Sequence, residues 1–498
     1  MVLAARPEVI AWLRPVFLGA AGLLLGLAVT TQSRGWLFTL PIVLVATLVL
    51  VPGRARLILF AAPMAGALTL ISGDLLAPYH AVDLVPAEAG TALGSAFDGA
   101  TRSLLVATGA LVIVGALGVW VDLSLHRWFH PTPAIRRGVT TALLASLALG
   151  CVAAGAVATD ARPLQRIESA WTNRDRNEGD RSHFAALGSG RYAVWRVGLL
   201  AWREHPIDGL GQDNFVQTYI TKRKDADEEP RWLHSLPLRL LVHTGLVGFA
   251  LFALFVIAAA WAAITSWARR AREGPARLAG SLAMLPAVVW LAHGSVDWLW
   301  EYPGLSGPAL GLTGAAVALG SSALGKDRAA VATKPSRRRI AAACAGALVC
   351  AAVVVPSYVA DREVQAAAAH WPANPEAAFD RLERARALNP LSARAALVEG
   401  VIAVRLGRLR QAHSSFTRAA QREPHDWFAR FELGLVEGAR RDRAAALRYL
   451  LAAQRLNPLD PLVARAVDLA RQGRTMSFQA AQEEFELRVR QRISAPIP

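Results

Sequence analysis

GRYAVWRVGLLAWREHPIDGLGQDNFVQTY, residues 190–219, and RWLHSLPLRLLVHTGLVGF, residues 231–249, frame the stretch on which the reading of this chain turns. A polar segment lies between two apolar halves and runs straight into one of them. Arg191, Trp195, Leu199 and Trp202 fall at helical spacing, so one helix face carries an arginine and two indoles. Ser189 suits the N-cap of that helix, and His205-Pro206 ends it. Gly209 and Gly211 mark a turn. The chain returns at Trp232, with His234 just ahead of an apolar helix.

Outward from this stretch, apolar runs dominate. Of 498 residues, 54% are hydrophobic, and the mean hydropathy is +0.32, which makes an integral membrane protein. About nine spans are expected, near 11–31, 36–51, 55–76, 103–120, 138–158, 238–263, 279–293, 305–322 and 340–359. The first of these lacks a small-residue cleavage site and reads as a membrane helix, with no cleavable leader. The net charge of +16 sits in short loops between the runs, so it sets topology and does not signal nucleic acid. Arginine-rich loops around residues 54, 136, 270 and 338 fall inside when the N-terminus is inside. The acidic loop 77–102, the long loop 159–237 and the short loop 294–304 then lie outside. The tail beyond Val359 joins them, because an even number of spans follows the long loop. Cys151, Cys344 and Cys350 all lie in apolar runs and read as small core residues.

The tail is a separate module. Pro390, Pro424 and Pro458 recur every 34 residues, as do Ala378, Ala412 and Ala446, and Ala385, Ala419 and Ala453. Gly400 and Gly434 repeat at that period, and so do Leu382, Phe416 and Leu450. The pattern resembles tetratricopeptide repeats, whose small residues let paired helices approach. The expected fold is all-α: a polytopic membrane domain over 1–360, tetratricopeptide-like repeats over 361–475, and a capping helix and tail over 476–498.

Several polar groups sit where apolar surroundings give them a task. Arg34 lies at the outer end of the first helix, where an arginine runs against the positive-inside tendency. Guanidinium and indole on the Arg191 face can hold a diphosphate and a sugar face. His234 stands where an aqueous loop meets the bilayer, and an imidazole can take a proton from a hydroxyl near neutral pH. His243, further along the same helix, competes for that role, while His205 reads as structural. HGSVDWLWEYPG, residues 293–304, sets His293, Asp297 and Glu301 among tryptophans and reads as a structural or acceptor-side element. Asp225 and Asp227 have metal-pair spacing but lie in a mixed-charge run that reads as a solvated loop, so no metal is expected. No nucleotide-binding glycine motif is present, and no cofactor is expected.

The arginine, the short helix, Pro206-Ile207-Asp208-Gly209-Leu210-Gly211, and His234 at the foot of the next helix resemble the O-antigen ligase and lipid-linked polysaccharide polymerase family. The likeness runs from about Ala20 to Gly320 and includes Ser33-Arg34-Gly35. His234-Ser235 stands where the family has His-Asn, and His243-Thr244-Gly245 stands where it often has Glu before the Gly-Leu pair. The family has further helices ahead of the long loop, so either the start is assigned too late or this is a minimal variant. The resemblance implies transfer of a glycan from a polyprenyl-diphosphate donor to a hydroxyl acceptor, a glycan or lipid, on the outer face of the cytoplasmic membrane. His234 and Arg191 would be catalytic. Arg34, Trp195, Trp202 and Asp297 would bind substrate, and the repeat tail would engage envelope assembly proteins. A membrane-anchored repeat scaffold is the alternative class. A transporter component is a further one, disfavoured by the scarcity of ionisable residues within the spans. Convergence of Arg34, Arg191 and His234 on one cavity is the geometric expectation.

Overall fold

The computed structural model describes residues 1–31, 33, 35–82, 86–128, 138–142, 145, 191–212, 214–224, 232–269, 274–321 and 336–494. Among them every regular element is helical. They fall into two units. One lies within Met1–Gly209 and Trp232–Asp327, the other within Leu210–Arg231 and Arg328–Ala495.

The first unit holds α1 (Leu13–Thr30), α2 (Gly35–Leu50), α3 (Arg54–Leu70), α4 (Ser72–Val82), α5 (Pro86–Trp128) and α6 (Arg191–Glu204). It continues with α8 (Leu236–Arg269), α9 (Gly274–Gly294), a 3-10 turn (Leu299–Glu301) and α10 (Pro303–Ser321). Gly19, Gly22 and Gly26 line one face of α1. A Cβ on Gly19 would stand 2.6 Å from Val112, and Cβ atoms on Gly22 and Gly26 would strike Leu111 and Leu104. Small residues at this spacing bring α1 and α5 together, as apolar helices require when no water drives their association. Arg14 is fully buried between them, donating to Ala4 O and to Asp122, which also pairs with Arg56.

Leu13–Thr30, Gly90–Ser124 and Leu236–Thr265 are long and apolar enough to cross a membrane, and the pair Arg54–Leu70 and Ser72–Tyr79, bent by 50°, would make a fourth. Leu251, Leu254, Ile257 and Trp261 of α8 are exposed, which suits lipid and not water. The run 55–76 is thus two helices and not one. The expected loop 77–102 is helical over its described residues: α4 covers its start, and α5 contains no proline after Pro86 to stop it. Most of the span expected at 138–158 lies outside the described residues, as do Asp225 and Asp227.

The second unit holds α7 (Phe215–Lys222), α11 (Arg337–His370), α12 (Pro375–Leu388), α13 (Arg394–Arg405), α14 (Leu409–Arg422), α15 (Trp427–Ala439), α16 (Arg443–Leu456), α17 (Pro461–Arg471) and α18 (Phe478–Ser494). Helix α11 runs through residue 360 without a break. Its early residues Leu348, Val349 and Val354 are exposed, while Ala360, Val364 and Ala367 pack with Ala378, Leu382 and Ala385. Cys344, expected in a core, is exposed on that early apolar part. The following helices pair in register with the sequence period. A Cβ on Gly400 would lie 2.6 Å from Phe416, and one on Gly434 would lie 2.6 Å from Leu450. Asn374, Asp426, Asp442 and Asp460 cap four of these helices. Helix α7, from the long loop, packs against α16: Arg223 Nη2 donates to Asn457 Oδ1 at 2.8 Å, and Thr221 Oγ1 to Leu456 O at 3.1 Å.

Replacing Gly434 by Val forces a branched side chain against Leu450 and costs about 1–3 kcal/mol. Amide hydrogen exchange in α15 and α16 of the full chain reads that loss. Gly311→Ala, with open space around its Cβ, leaves exchange unchanged.

Candidate functional site

Four element ends meet at one carboxylate. Asp297 follows α9 and is 7% exposed. Arg191, the first residue of α6, places Nη2 3.2 Å from Asp297 Oδ2. His234, just before α8, places Nδ1 3.6 Å from Oδ1, and His293, near the end of α9, places Nε2 3.6 Å from Oδ2. Ser33, ahead of α2, donates its hydroxyl to Oδ2 at 3.4 Å, and the Trp298 backbone N–H donates to Oδ1 at 2.9 Å. Burial alone would raise the Asp297 pKa. The imidazoles of His234 and His293, the Arg191 charge and the Trp298 N–H override it and hold the carboxyl well below the usual range. Arg191 is pulled down from its ordinary value by burial, with Asp297 opposing. Its Nη1 is buried with no hydrogen-bond partner among the described residues.

Neighbours fix each of these groups. Gly35 faces the His293 ring so closely that a Cβ would stand 2.5 Å from Nε2, and Trp36 meets that ring edge-on at 5.9 Å. His234 has φ +49°, a left-handed backbone uncommon outside glycine, and Trp298 meets its ring edge-on at 6.3 Å. Ser235 Oγ accepts the Leu238 N–H at 3.4 Å, a helix-capping task that serine and asparagine share. Trp195 Nε1 donates to Leu233 O at 2.7 Å, tying α6 to the residue before His234.

The turn after α6 docks on a kink in α8. Gly209 (φ +72°) lies so close that a Cβ would stand 2.5 Å from the His243 carbonyl carbon and 2.6 Å from Gly245 N. Gly245 (φ +61°) leaves the helical conformation, and the N–H groups of Leu246 and Val247 donate to Pro206 O and Ile207 O at 2.8 and 3.4 Å.

The structure therefore brings Arg191, His234 and Asp297 together, while Arg34 lies outside the described residues. Trp195 and Trp202 are half-buried, and both indole N–H groups serve the fold, Trp202 donating to Pro206 O at 3.3 Å. The expected face of α6 needs correction. Arg191 shares its buried side with Val194, Gly198 and Ala201, and Leu199 is exposed. Gly198 decides this, because a Cβ there would stand 2.8 Å from Leu233. His243 is buried one helical stretch below His234, against the turn. His293 and Ser33 were not singled out from sequence as partners of the site; the spacing of His293 and Asp297 by one helical turn was the available signal. Among the described residues no group of three or more His, Cys, Asp or Glu is arranged to hold a metal.

Residues 91–253, about a third of the chain, match the model of a family described as O-Antigen ligase. The matched segment takes in Arg191, the turn and His234, and ends before His293 and Asp297. No curated protein matches the chain.

Asp297→Asn strands the Arg191 charge in a buried place, which costs on the order of 3–5 kcal/mol. A carboxylate with a depressed pKa contributes its full stability above the unfolded value of about 3.9 and loses it only as pH falls through the lower folded value. Thermal unfolding of the full chain in detergent thus shows a wild-type advantage over Asp297→Asn that does not narrow between about pH 7 and about pH 5.

Proposed function

We propose that the protein is a membrane glycosyltransferase of the O-antigen ligase type, acting on a polyprenyl-diphosphate-linked glycan without a metal. The observation that carries this reading is the meeting of Arg191, His234 and Asp297 at one buried carboxylate, two of them inside the segment that matches the family. With Nδ1 toward Asp297, His234 would accept the proton at Nε2. The acceptor hydroxyl oxygen would bond to the anomeric carbon as the bond from that carbon to the diphosphate breaks, inverting the configuration. The hydroxyl proton passes to His234 Nε2. The growing negative charge on the diphosphate would meet Arg191, whose Nη1 has no hydrogen-bond partner among the described residues, and Arg34 would add a second cation. Trp195 and Trp202 would border the donor. Asp297 serves to orient the imidazole and to hold Arg191, more than to touch the sugar.

In this reading the apolar helices make a multi-pass protein of the cytoplasmic membrane, with the long loop and the tail on the outer side. The contact of Arg223 with Asn457 supports a shared side, because no bilayer can run between hydrogen-bonded groups. The 34-residue register of Gly400 and Gly434 supports tetratricopeptide-like repeats, which would offer a surface to envelope assembly proteins.

The test is transfer by the full chain in lipid nanodiscs, with undecaprenyl-diphosphate-linked oligosaccharide as donor and a purified outer-core glycolipid or a second donor molecule as acceptor. His234→Ala is expected to lower turnover by about 10²–10⁴, and Arg191→Ala to lower it comparably. Undiminished turnover in His234→Ala removes its role as base, and His243→Ala identifies the competing imidazole.

A further inference from the structure

Arg239 lies in the first turn of α8, where a membrane protein commonly has an arginine reaching out to water. This one does the opposite. It is 5% exposed, and its guanidinium sits between the rings of Trp232 and Trp300, 4.9 and 4.8 Å from their centroids. It also pairs with Glu301. A planar, weakly hydrated cation between two indoles is a strong anchor when desolvated. Trp232 precedes His234 by two residues, and Arg239 follows it by five. Trp300 and Glu301 follow Asp297 by three and four. The clamp thus ties the chain on both sides of His234 to the 3-10 turn that begins just after Asp297.

We propose that Arg239 is a positioning residue, which with Glu301, Trp232 and Trp300 holds His234 against Asp297. The proposal rests on the reading of His234 as the base. His234 has a backbone conformation that persists only where its surroundings over-determine it. The Trp195 bond to Leu233 fixes the chain ahead of it, and the Arg239 clamp fixes the chain behind. The 3.6 Å approach of Nδ1 to Asp297 depends on both segments being held in register. Packing around the clamp is continuous with the core: Trp300 packs against the cluster of Leu236, Trp290 and Ala309, and its carbonyl accepts from Ser306, which in turn accepts from Trp290 Nε1. The clamp therefore transmits the rigidity of α8, α9 and α10 to the carboxylate and the imidazole.

The test is the imidazole tautomer of His234, read by nitrogen NMR of the full chain in lipid with labelled histidine and assigned by difference with His234→Gln. Wild type is expected to show the proton on Nδ1, facing Asp297. Glu301→Gln, which keeps the shape and removes the charge, and Arg239→Met are expected to show both tautomers in exchange. Arg239→Lys, which keeps a cation between the indoles, is expected to restore the single tautomer. His205, exposed at the end of α6, should be unchanged in every variant. A retained single tautomer in Glu301→Gln and Arg239→Met overturns the proposal, as does a change at His205 equal to that at His234. Glu301→Gln decides the matter where Arg239→Met does not fold. Failure of the transfer reading shows separately, as undiminished turnover in His234→Ala, while the tautomer still decides the clamp.

Discussion

A carboxylate withdrawn from water has to be surrounded by donors and positive charge, and beyond the neighbouring Trp298 N–H Asp297 finds them by drawing four helix ends together. Ser33 comes from ahead of α2, Arg191 from the start of α6, His234 from before α8, and His293 from the end of α9. None of these segments is adjacent in sequence to all the others. The reverse dependence is as strong, because the buried guanidinium of Arg191 has its charged partner in Asp297. The constraint is mutual desolvation: each ion is tolerable in this place because of the other. The N-terminal end of α8 also lies near this point, and the partial positive charge of that end favours the same carboxylate, or an anion brought beside it.

What was legible in the sequence was what local rules govern. Pro206 stops α6 at Glu204 because a proline disfavours helix in the residue before it. Gly209 and Gly211 take positive φ. The 34-residue spacing of glycine and large apolar residues is the direct imprint of helix pairs meeting at Gly400 with Phe416 and at Gly434 with Leu450. What was not legible depended on partners distant in sequence. The rotation of α6 is set by Leu233 and Leu238 pressing on Gly198, and the indoles of Trp195 and Trp202 tether neighbouring backbone. The role of Asp297 could not be read from HGSVDWLWEYPG alone, because its partner Arg191 lies more than a hundred residues earlier. Nothing in the sequence around Arg239 marks it, because two of the groups that hold it, Trp300 and Glu301, lie some sixty residues later.

The long loop offers a further case. A mixed-charge run follows α7, and charge alone describes it as solvated. Yet within that run, which begins at Lys222, Arg223 is 6% exposed and bonded to Asn457, itself wholly buried and within reach of the Asp460 cap of α17. The same asparagine thus ends one helix, steadies the next and receives a loop arginine. Periodicity could find the prolines and alanines of the tail, because they repeat. It could not find this contact, because Arg223 belongs to no repeat.

The turn at Pro206–Gly211 and the break at Gly245 are best understood as one feature. A helix that leaves its regular conformation frees backbone N–H groups, and in an apolar helix such groups need a substitute acceptor. Leu246 and Val247 find theirs in the carbonyls of Pro206 and Ile207. For those carbonyls to reach the helix axis, the turn must lie directly on α8. That approach is possible because Gly209 has no Cβ to meet His243 and Gly245 none to meet Ile207. Two glycines 36 residues apart are therefore required by one contact. Proline contributes twice, by ending α6 and by presenting a carbonyl from a residue that has no N–H to satisfy. The turn on which the resemblance to the O-antigen ligase family partly rests thus carries no reacting group in this geometry. Its effect on chemistry is indirect: it seats the upper part of α8, the helix that His234 precedes, and it fixes the end of α6, the helix that Arg191 begins.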